Sequence, residues 1–261
     1  HADILFEDVG DEEISYTLPT EDDLPCDDGE PMESIRHREQ MNLLIDSLEA
    51  YWCGRRNFFI GGNMFLYFDP SDRKKFKGPD FFFVTDVPER QRKSWVVWEE
   101  GMRFPDMIVE LLSDTTRNVD KGAKKDIYER IFRTPEYYIY DPYTQEFEGY
   151  VLTKGIYRTE SPDKENRIFS NAAGLYLVIK DDWLRWMTDQ GEILPSHREL
   201  FGREKARAER EKARAEQEKA RAEQEKARAK DSEKRLIRTV REMLADGLDS
   251  AVVMKYTEIG R

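Results

Sequence analysis

Three residues near the middle of the chain have the side chains that phosphoryl-transfer chemistry uses. Asp80 follows Gly78-Pro79 and opens the apolar run Phe81-Phe82-Phe83-Val84, and Glu110 stands inside a second run, Met107-Ile108-Val109-Glu110-Leu111-Leu112. A carboxylate set in strand sequence of that kind needs a partner or a metal, because desolvating it alone is costly. Two of them, projecting from neighbouring strands, offer the hard oxygens that Mg2+ or Mn2+ takes. A cation so held stabilises the charge that develops on a phosphodiester and activates water. Lys124 is the third residue. Asp120, Lys124 and Tyr128 are spaced i, i+4, i+8 and share one helical face. An ammonium there balances the two carboxylates, positions water and stabilises a pentavalent phosphate. Tyr128 is placed to bond a phosphate or a carboxylate, or to close the site. Read singly, Asp80 is also a turn residue after Gly-Pro, Glu110 a paired structural acid and Lys124 one more surface lysine. Their joint order favours the site.

Other chemistry-bearing residues give weaker signals. His37 and His197 lack metal-pair spacing and read as structural or surface residues, as does Cys53. Glu39 is a further acidic candidate, with an exposed helical glutamate the plainer reading. The basic residues Arg73, Lys74, Lys75 and Lys77, and Arg90, Arg92 and Lys93, would contact phosphates if they lie near Asp80; a solvated loop is an equal alternative.

In order along the chain, Gly78-Pro79-Asp80, Ile108-Val109-Glu110-Leu111-Leu112-Ser113, Thr116-Arg117, Asp120-Lys121-Gly122-Ala123-Lys124 with Tyr128, and Pro135-Glu136-Tyr137-Tyr138-Ile139-Tyr140-Asp141-Pro142 resemble the Uma-two family of bacterial proteins. That family is a branch of the PD-(D/E)XK nuclease superfamily, and the resemblance covers roughly Ile35 to Leu200. It implies a restriction-endonuclease-like fold, dependence on a divalent metal and cleavage of DNA. It also implies that Asp80 is the motif aspartate, Glu110 the motif glutamate, and the Leu111 peptide carbonyl a further metal oxygen. One departure stands out: Leu112 occupies the place where the superfamily's basic pattern has a lysine. In this branch the lysine moves to the helix, where Lys124 fits. Lys125 is the competing assignment, but it lies about one hundred degrees further around the helix, off the Asp120/Tyr128 face.

The elements that must position these groups are readable from periodicity. Met41, Leu44, Ile45, Leu48 and Trp52 form one face of a helix over Ile35–Trp52. Strands are expected at Phe58–Ile60, Met64–Phe68, Phe81–Val84 and Met107–Leu112, the last covered on both faces. A helix follows over Asn118–Arg133, stopped near Pro135. Then come a strand at Glu136–Tyr140, a hairpin over Phe147–Leu152 and Gly155–Arg158, and a last strand at Leu175–Ile179. The fold class is α/β, a restriction-endonuclease-like mixed central sheet flanked by helices, with a long charged C-terminal helix and a helical hairpin.

Composition divides the 261 residues further. Residues 1–34 hold 13 of the 54 acidic residues and none of the 42 Lys and Arg, so the net charge of −12 belongs to this segment. It reads as an acidic, solvated tail or a loosely packed strap. The nuclease-like domain is 35–200, and between Arg36 and Gly202 it holds 25 basic against 28 acidic residues. Affinity for DNA must therefore come from local basic patches and bound metal. Residues 201–234 repeat a charged heptad begun by Lys205, Lys212, Lys219 and Lys226. Its paired alanines make a poor coiled-coil seam, so a solvated helix laced with i, i+4 pairs is expected. Residues 235–261 form the hairpin, with a stripe at Leu236, Ile237, Val240, Met243 and Leu244, a stop at Gly247 and a second helix opened by Ser250. A homodimer through these helices is expected. Two cysteines without ligand spacing and no long apolar run point to a reduced, cytoplasmic protein without a membrane span. The expected function is a divalent-metal-dependent endonuclease acting on DNA. The rival is a non-catalytic DNA-binding or regulatory module that recruits a partner through its C-terminal helices.

Overall fold

The apolar runs sort into strands according to whether one face or both must be covered. The computed structural model describes residues 3–5, 15–25, 34–113 and 120–257. It divides into two compact units, His1–Arg198 and Glu199–Arg261. Thr116-Arg117, the start of the Asn118 helix and Cys26 lie outside the described residues.

In the first unit, Asp3–Leu5 (β1) pairs antiparallel with Ser15–Thr17 (β2). Helix α1 spans Ile35–Tyr51, and Ser34 caps it by accepting the His37 N–H at 3.1 Å. Its inward face is His37, Met41, Leu44 and Leu48. The strands that follow are β3 (Phe58–Gly61), β4 (Leu66–Tyr67), β5 (Phe76–Lys77), β6 (Phe81–Thr85), β7 (Trp95–Val96) and β8 (Met107–Leu111). After the chain's second helical stretch come β9 (Glu136–Tyr140), β10 (Phe147–Thr153), β11 (Ile156–Glu160), β12 (Arg167–Ser170), β13 (Leu175–Lys180) and β14 (Trp183–Met187). The central sheet has six strands in the order β11-β10-β9-β8-β6-β3. Within it only β8 and β9 run parallel, so it is mixed, as the sequence predicts.

Both faces of this sheet are covered, which explains the unbroken apolar runs. Phe81, Phe83, Val109 and Leu111 pack with α1 and with Leu177 and Trp186. Phe82, Ile108, Tyr137 and Ile139 pack on the other side against Tyr128 and Phe132. Phe81, Phe82, Phe83 and Val84 are all 0% exposed. Truncating any of the three phenylalanines costs about 3–5 kcal/mol, so the strand that carries Asp80 at its start is among the most firmly held.

Several expectations need correction. The Met64–Phe68 strand is shorter than expected: β4 spans only Leu66–Tyr67 and sits in a small sheet of order β5-β4-β7. β13 is not the last strand, because β14 follows it through a tight turn at Asp181 and Asp182, whose φ angles are 51° and 63°. A two-residue turn with both φ positive suits a hairpin, and aspartate tolerates it. The helix before Pro135, α2, is described over Asp120–Phe132, with a three-residue α-helical segment between π-helical turns at Asp120–Lys124 and Tyr128–Phe132. It ends at Arg133, whose φ is 53°. Residues 18–25 are docked on the body rather than solvated: Leu24 is buried with Phe65, Tyr67 and Val96, and the Trp98 indole donates to the Pro19 carbonyl.

Helix α3, which makes up most of the second unit, begins at His197 and runs unbroken to Ala245, 49 residues with none buried. The repeat and the first apolar stripe share one helix, with no break in it at 234/235. Arg207–Glu211, Arg214–Glu218 and Arg221–Glu225 recur along it as i, i+4 ion pairs. With no buried face, its support is local. Gly247, at φ 86°, follows the helix end, and Asp249 accepts the Ala251 N–H to cap α4 (Ser250–Thr257). Among the described residues no helix is long and apolar enough to cross a membrane.

Candidate active site

Asp80 is the residue just before β6, and β3 passes directly beside it. The Asn63 N–H donates to the Pro79 carbonyl at 3.0 Å. A Cβ at Gly62 would lie 2.8 Å from the Asp80 carbonyl oxygen and 2.6 Å from Ile45, so only glycine lets the chain pass there. The Asp80 carboxylate is held from two sides. Its Oδ2 accepts the Leu111 N–H at 2.7 Å, and its Oδ1 lies 2.9 Å from His37 Nε2. Burial works against its charge, but His37, Lys124 and the Leu111 amide outweigh it and hold the carboxyl below its ordinary range.

The Leu111 contact brings β8 to Asp80 and so sets Glu110 next to it in the sheet. Glu110 is 0% exposed and points to the α2 side, where alternation along β8 would otherwise place an apolar residue. Its Oε1 accepts the Tyr128 hydroxyl at 2.6 Å and its Oε2 the Lys124 ammonium at 3.0 Å. Burial pushes the Glu110 carboxyl up to about 8, with Lys124 opposing and Asp80 and Asp120 adding to the rise. Lys124 is pushed the other way: burial disfavours its charge, but Glu110, Asp120 and Asp80 together hold it well above the usual lysine range. Burial and the Glu110 charge keep Tyr128 protonated far into alkali.

All four side chains expected at the site, Asp80, Glu110, Lys124 and Tyr128, therefore converge. Leu111 contributes its amide, which fixes Asp80. Lys125 does not join them: its ammonium lies 4.0 Å from the Tyr150 ring centroid. Glu39 is exposed on the outer side of α1. Of the two readings the sequence leaves for His37, structural or surface, the structure has the first: it is 7% exposed and bound to Asp80. Its spacing of four, seven and eleven before Met41, Leu44 and Leu48 was the signal that it faces the sheet. Asp120 was seen only as a helical neighbour of Lys124. It is 1% exposed, its Oδ1 lies 2.8 Å from Lys124 Nζ, and neither of its oxygens accepts a directed hydrogen bond among the described residues.

Most of the basic residues considered for phosphate contact are already engaged. Arg92 is buried against Glu100, Arg90 pairs with Glu100 and Glu21, Lys93 with Asp22, and Lys75 with Asp69. Lys77 differs. It is half-buried, and its ammonium is pushed down by burial and by the charge of Lys124, with Glu110 opposing, so it lies within electrostatic reach of the site.

The donor set suits a hard divalent cation. Glu110 and Asp120 share the one Lys124 ammonium and Asp80 lies within its electrostatic reach, so the negative charge of the cluster exceeds the positive and a cation offsets the difference. Asp46, Glu49 and His197 also bring ligand atoms within 4.8 Å of one another, but on the exposed side of α1. A cleft of about 650 Å³ beside β3, lined by Trp52, Arg55, Arg56 and Phe59, contains none of the four site residues.

A family profile described as "Putative restriction endonuclease" matches residues 14–179. The chain belongs to the Uma2 (Uma-two) family. The matched segment holds His37 and every residue of the site, and in this Uma2 chain the lysine reaches Glu110 from α2 rather than from β8. Among solved structures, the chain is similar to one from Anabaena variabilis ATCC 29413, described as "a putative nuclease belonging to DUF820". The identity is 18%, the match covers 63% of this chain and 97% of that one, and the TM-score is 0.46. No curated protein matches.

Proposed function

We propose that this Uma2 chain is a divalent-cation-dependent endonuclease that hydrolyses DNA phosphodiester bonds. Asp80, Glu110 and the Leu111 carbonyl would hold Mg2+ or Mn2+. The observation that carries the reading is the convergence of Asp80 and Lys124 on the fully buried Glu110 from separate elements. When bound, the cation supplies charge at a non-bridging phosphate oxygen and makes water a better nucleophile.

The chain's own residues account for the rest. Asp80 stays ionised because His37 and the Leu111 amide hold its two oxygens. Tyr128 fixes the rotamer of Glu110 by donating to Oε1. Lys124 stays charged and donates to the phosphate as negative charge grows on it. Cleavage proceeds by direct attack of water. Tyr128 is no covalent nucleophile, since its hydroxyl is spent on Glu110 and stays protonated. The exposed apolar residues Leu236, Ile237, Leu244 and Leu248 support a homodimer through α3 and α4, in which two sites would serve two strands.

The test is cleavage of plasmid and linear DNA with Mg2+ or Mn2+, with EDTA as control and RNA as a parallel substrate. Wild type should cut only with metal, and Asp80→Ala, Glu110→Ala and Lys124→Ala should each lose at least 100-fold while remaining folded, about 2.7 kcal/mol of transition-state stabilisation. Equal cutting by all four proteins would sink the assignment. A wild type inert on DNA but active on RNA would move the substrate class.

A further inference from the structure

We propose that Asp120 is a positioning residue: it keeps the Lys124 ammonium at the reaction centre once a cation has claimed Glu110, and it is not itself a cation ligand. The inference rests on the metal-dependent reading above. It starts from a physical anomaly. Asp120 is 1% exposed and accepts no directed hydrogen bond at either oxygen among the described residues. A buried carboxylate without hydrogen bonds persists only where a charge compensates it. The charge is Lys124, whose Nζ lies 2.8 Å from Asp120 Oδ1 and 3.0 Å from Glu110 Oε2.

Lys124 thus stands between two carboxyl groups that play different parts. Glu110 is tied on its other oxygen to Tyr128, so Oε2 is the atom that a cation and the ammonium both want. Two positive charges cannot share it closely, and the lysine side chain, 18% exposed, has a route outward to water. Asp120 blocks that route energetically, because it stays behind as the ammonium's partner. The local winding supports the arrangement: Asp120 and Lys124 are the first and fifth residues of one π-helical turn, a rare winding that recurs at functional sites.

A ligand role for Asp120 fits the geometry less well. Its nearest polar neighbour is the ammonium, which lies between it and Glu110. Two carboxylates with a peptide oxygen and waters suffice for Mg2+.

The experiment uses the full chain with Asp120→Asn, which keeps shape and removes charge, and Asp120→Glu as a second variant in case the first does not fold. Calorimetric titration with Mn2+ should give an affinity for Asp120→Asn within about threefold of wild type. Single-turnover cleavage at saturating Mn2+ and DNA should fall about 30-fold or more, with Asp120→Glu recovering part of the loss. In a Lys124→Met background Asp120→Asn should have no further effect. A Mn2+ affinity reduced tenfold or more would make Asp120 a ligand, and additive losses in the double variant would make its role merely structural; either overturns the proposal. A readout independent of cutting is the 15N signal of the Lys124 ammonium. It should stay protected from exchange in the Mg2+-loaded wild type and lose protection in Asp120→Asn. If the wild type cuts nothing, the nuclease reading falls, and the ammonium signal still decides this one.

Discussion

Lowering the pH from 8 to 6 should weaken Mn2+ binding about 50-fold, and Glu110 is the reason. Burial holds its carboxyl up at about 8, while Asp80 is held below the usual carboxylate range and stays ionised throughout. A cation takes only the ionised carboxylate, so at low pH binding must first displace a proton. With one group titrating near 8, the competent fraction is about one half at pH 8 and about one hundredth at pH 6. That ratio is worth ~2.3 kcal/mol. At pH 7 about 0.9 proton should leave for each cation bound, which calorimetry in two buffers of different ionisation enthalpy measures directly. Glu110→Gln should bind Mn2+ weakly at every pH and lose the slope. A wild-type affinity level between pH 6 and 8, or a slope that survives in Glu110→Gln, would refute the argument that burial of Glu110 governs metal loading.

Two further perturbations probe the scaffold and Lys77. Arg92→Ala should destabilise the protein by about 3 kcal/mol in chemical denaturation, because the Glu100 side chain is 3% exposed and would lose its Nε and Nη2 partners. A loss under about 1 kcal/mol would mean that Arg90 alone satisfies Glu100. Lys77→Ala should weaken binding of a DNA duplex in Ca2+ and reduce the slope of log affinity against log salt by about 0.9, as expected for one phosphate contact. An unchanged slope would place Lys77 off the phosphate track.

The grouping of the candidate residues was more legible in the sequence than its support. A carboxylate inside Met107–Leu112 breaks an apolar pattern, and the Asp120, Lys124, Tyr128 spacing survives π winding at both ends of the helix, so local signals located these residues. What escaped depends on contacts between distant segments. His37 meets Asp80 across 43 residues, and Glu21 meets Arg90 across 69. No periodicity reports a pairing of that separation, which is why the sequence leaves 18–25 open between solvated tail and loosely packed strap, and the basic loops open between phosphate contact and solvent. β14 was missed for a different reason: its turn is made by two aspartates, without the glycine that usually marks a tight hairpin. The break expected at 234/235 followed composition, but Ala, Glu, Lys, Arg and Leu all favour helix, and composition can change without any backbone signal to stop.

The open border of the central sheet bears on how the chain survives at high concentration. β3 is an outer strand, paired on one side with β6. Its sequence, Phe58-Phe59-Ile60, is uncharged, aromatic and branched, the type that stacks edge to edge with other copies. Arg55 and Arg56 stand exposed just ahead of it, separated from it by Asn57. Approach of a second identical border would bring like charges together before any ladder of hydrogen bonds could form. Charge at Arg55 and Arg56 therefore opposes edge-to-edge association, while Phe58 and Phe59 turn their rings to Trp52, Phe82 and Trp95.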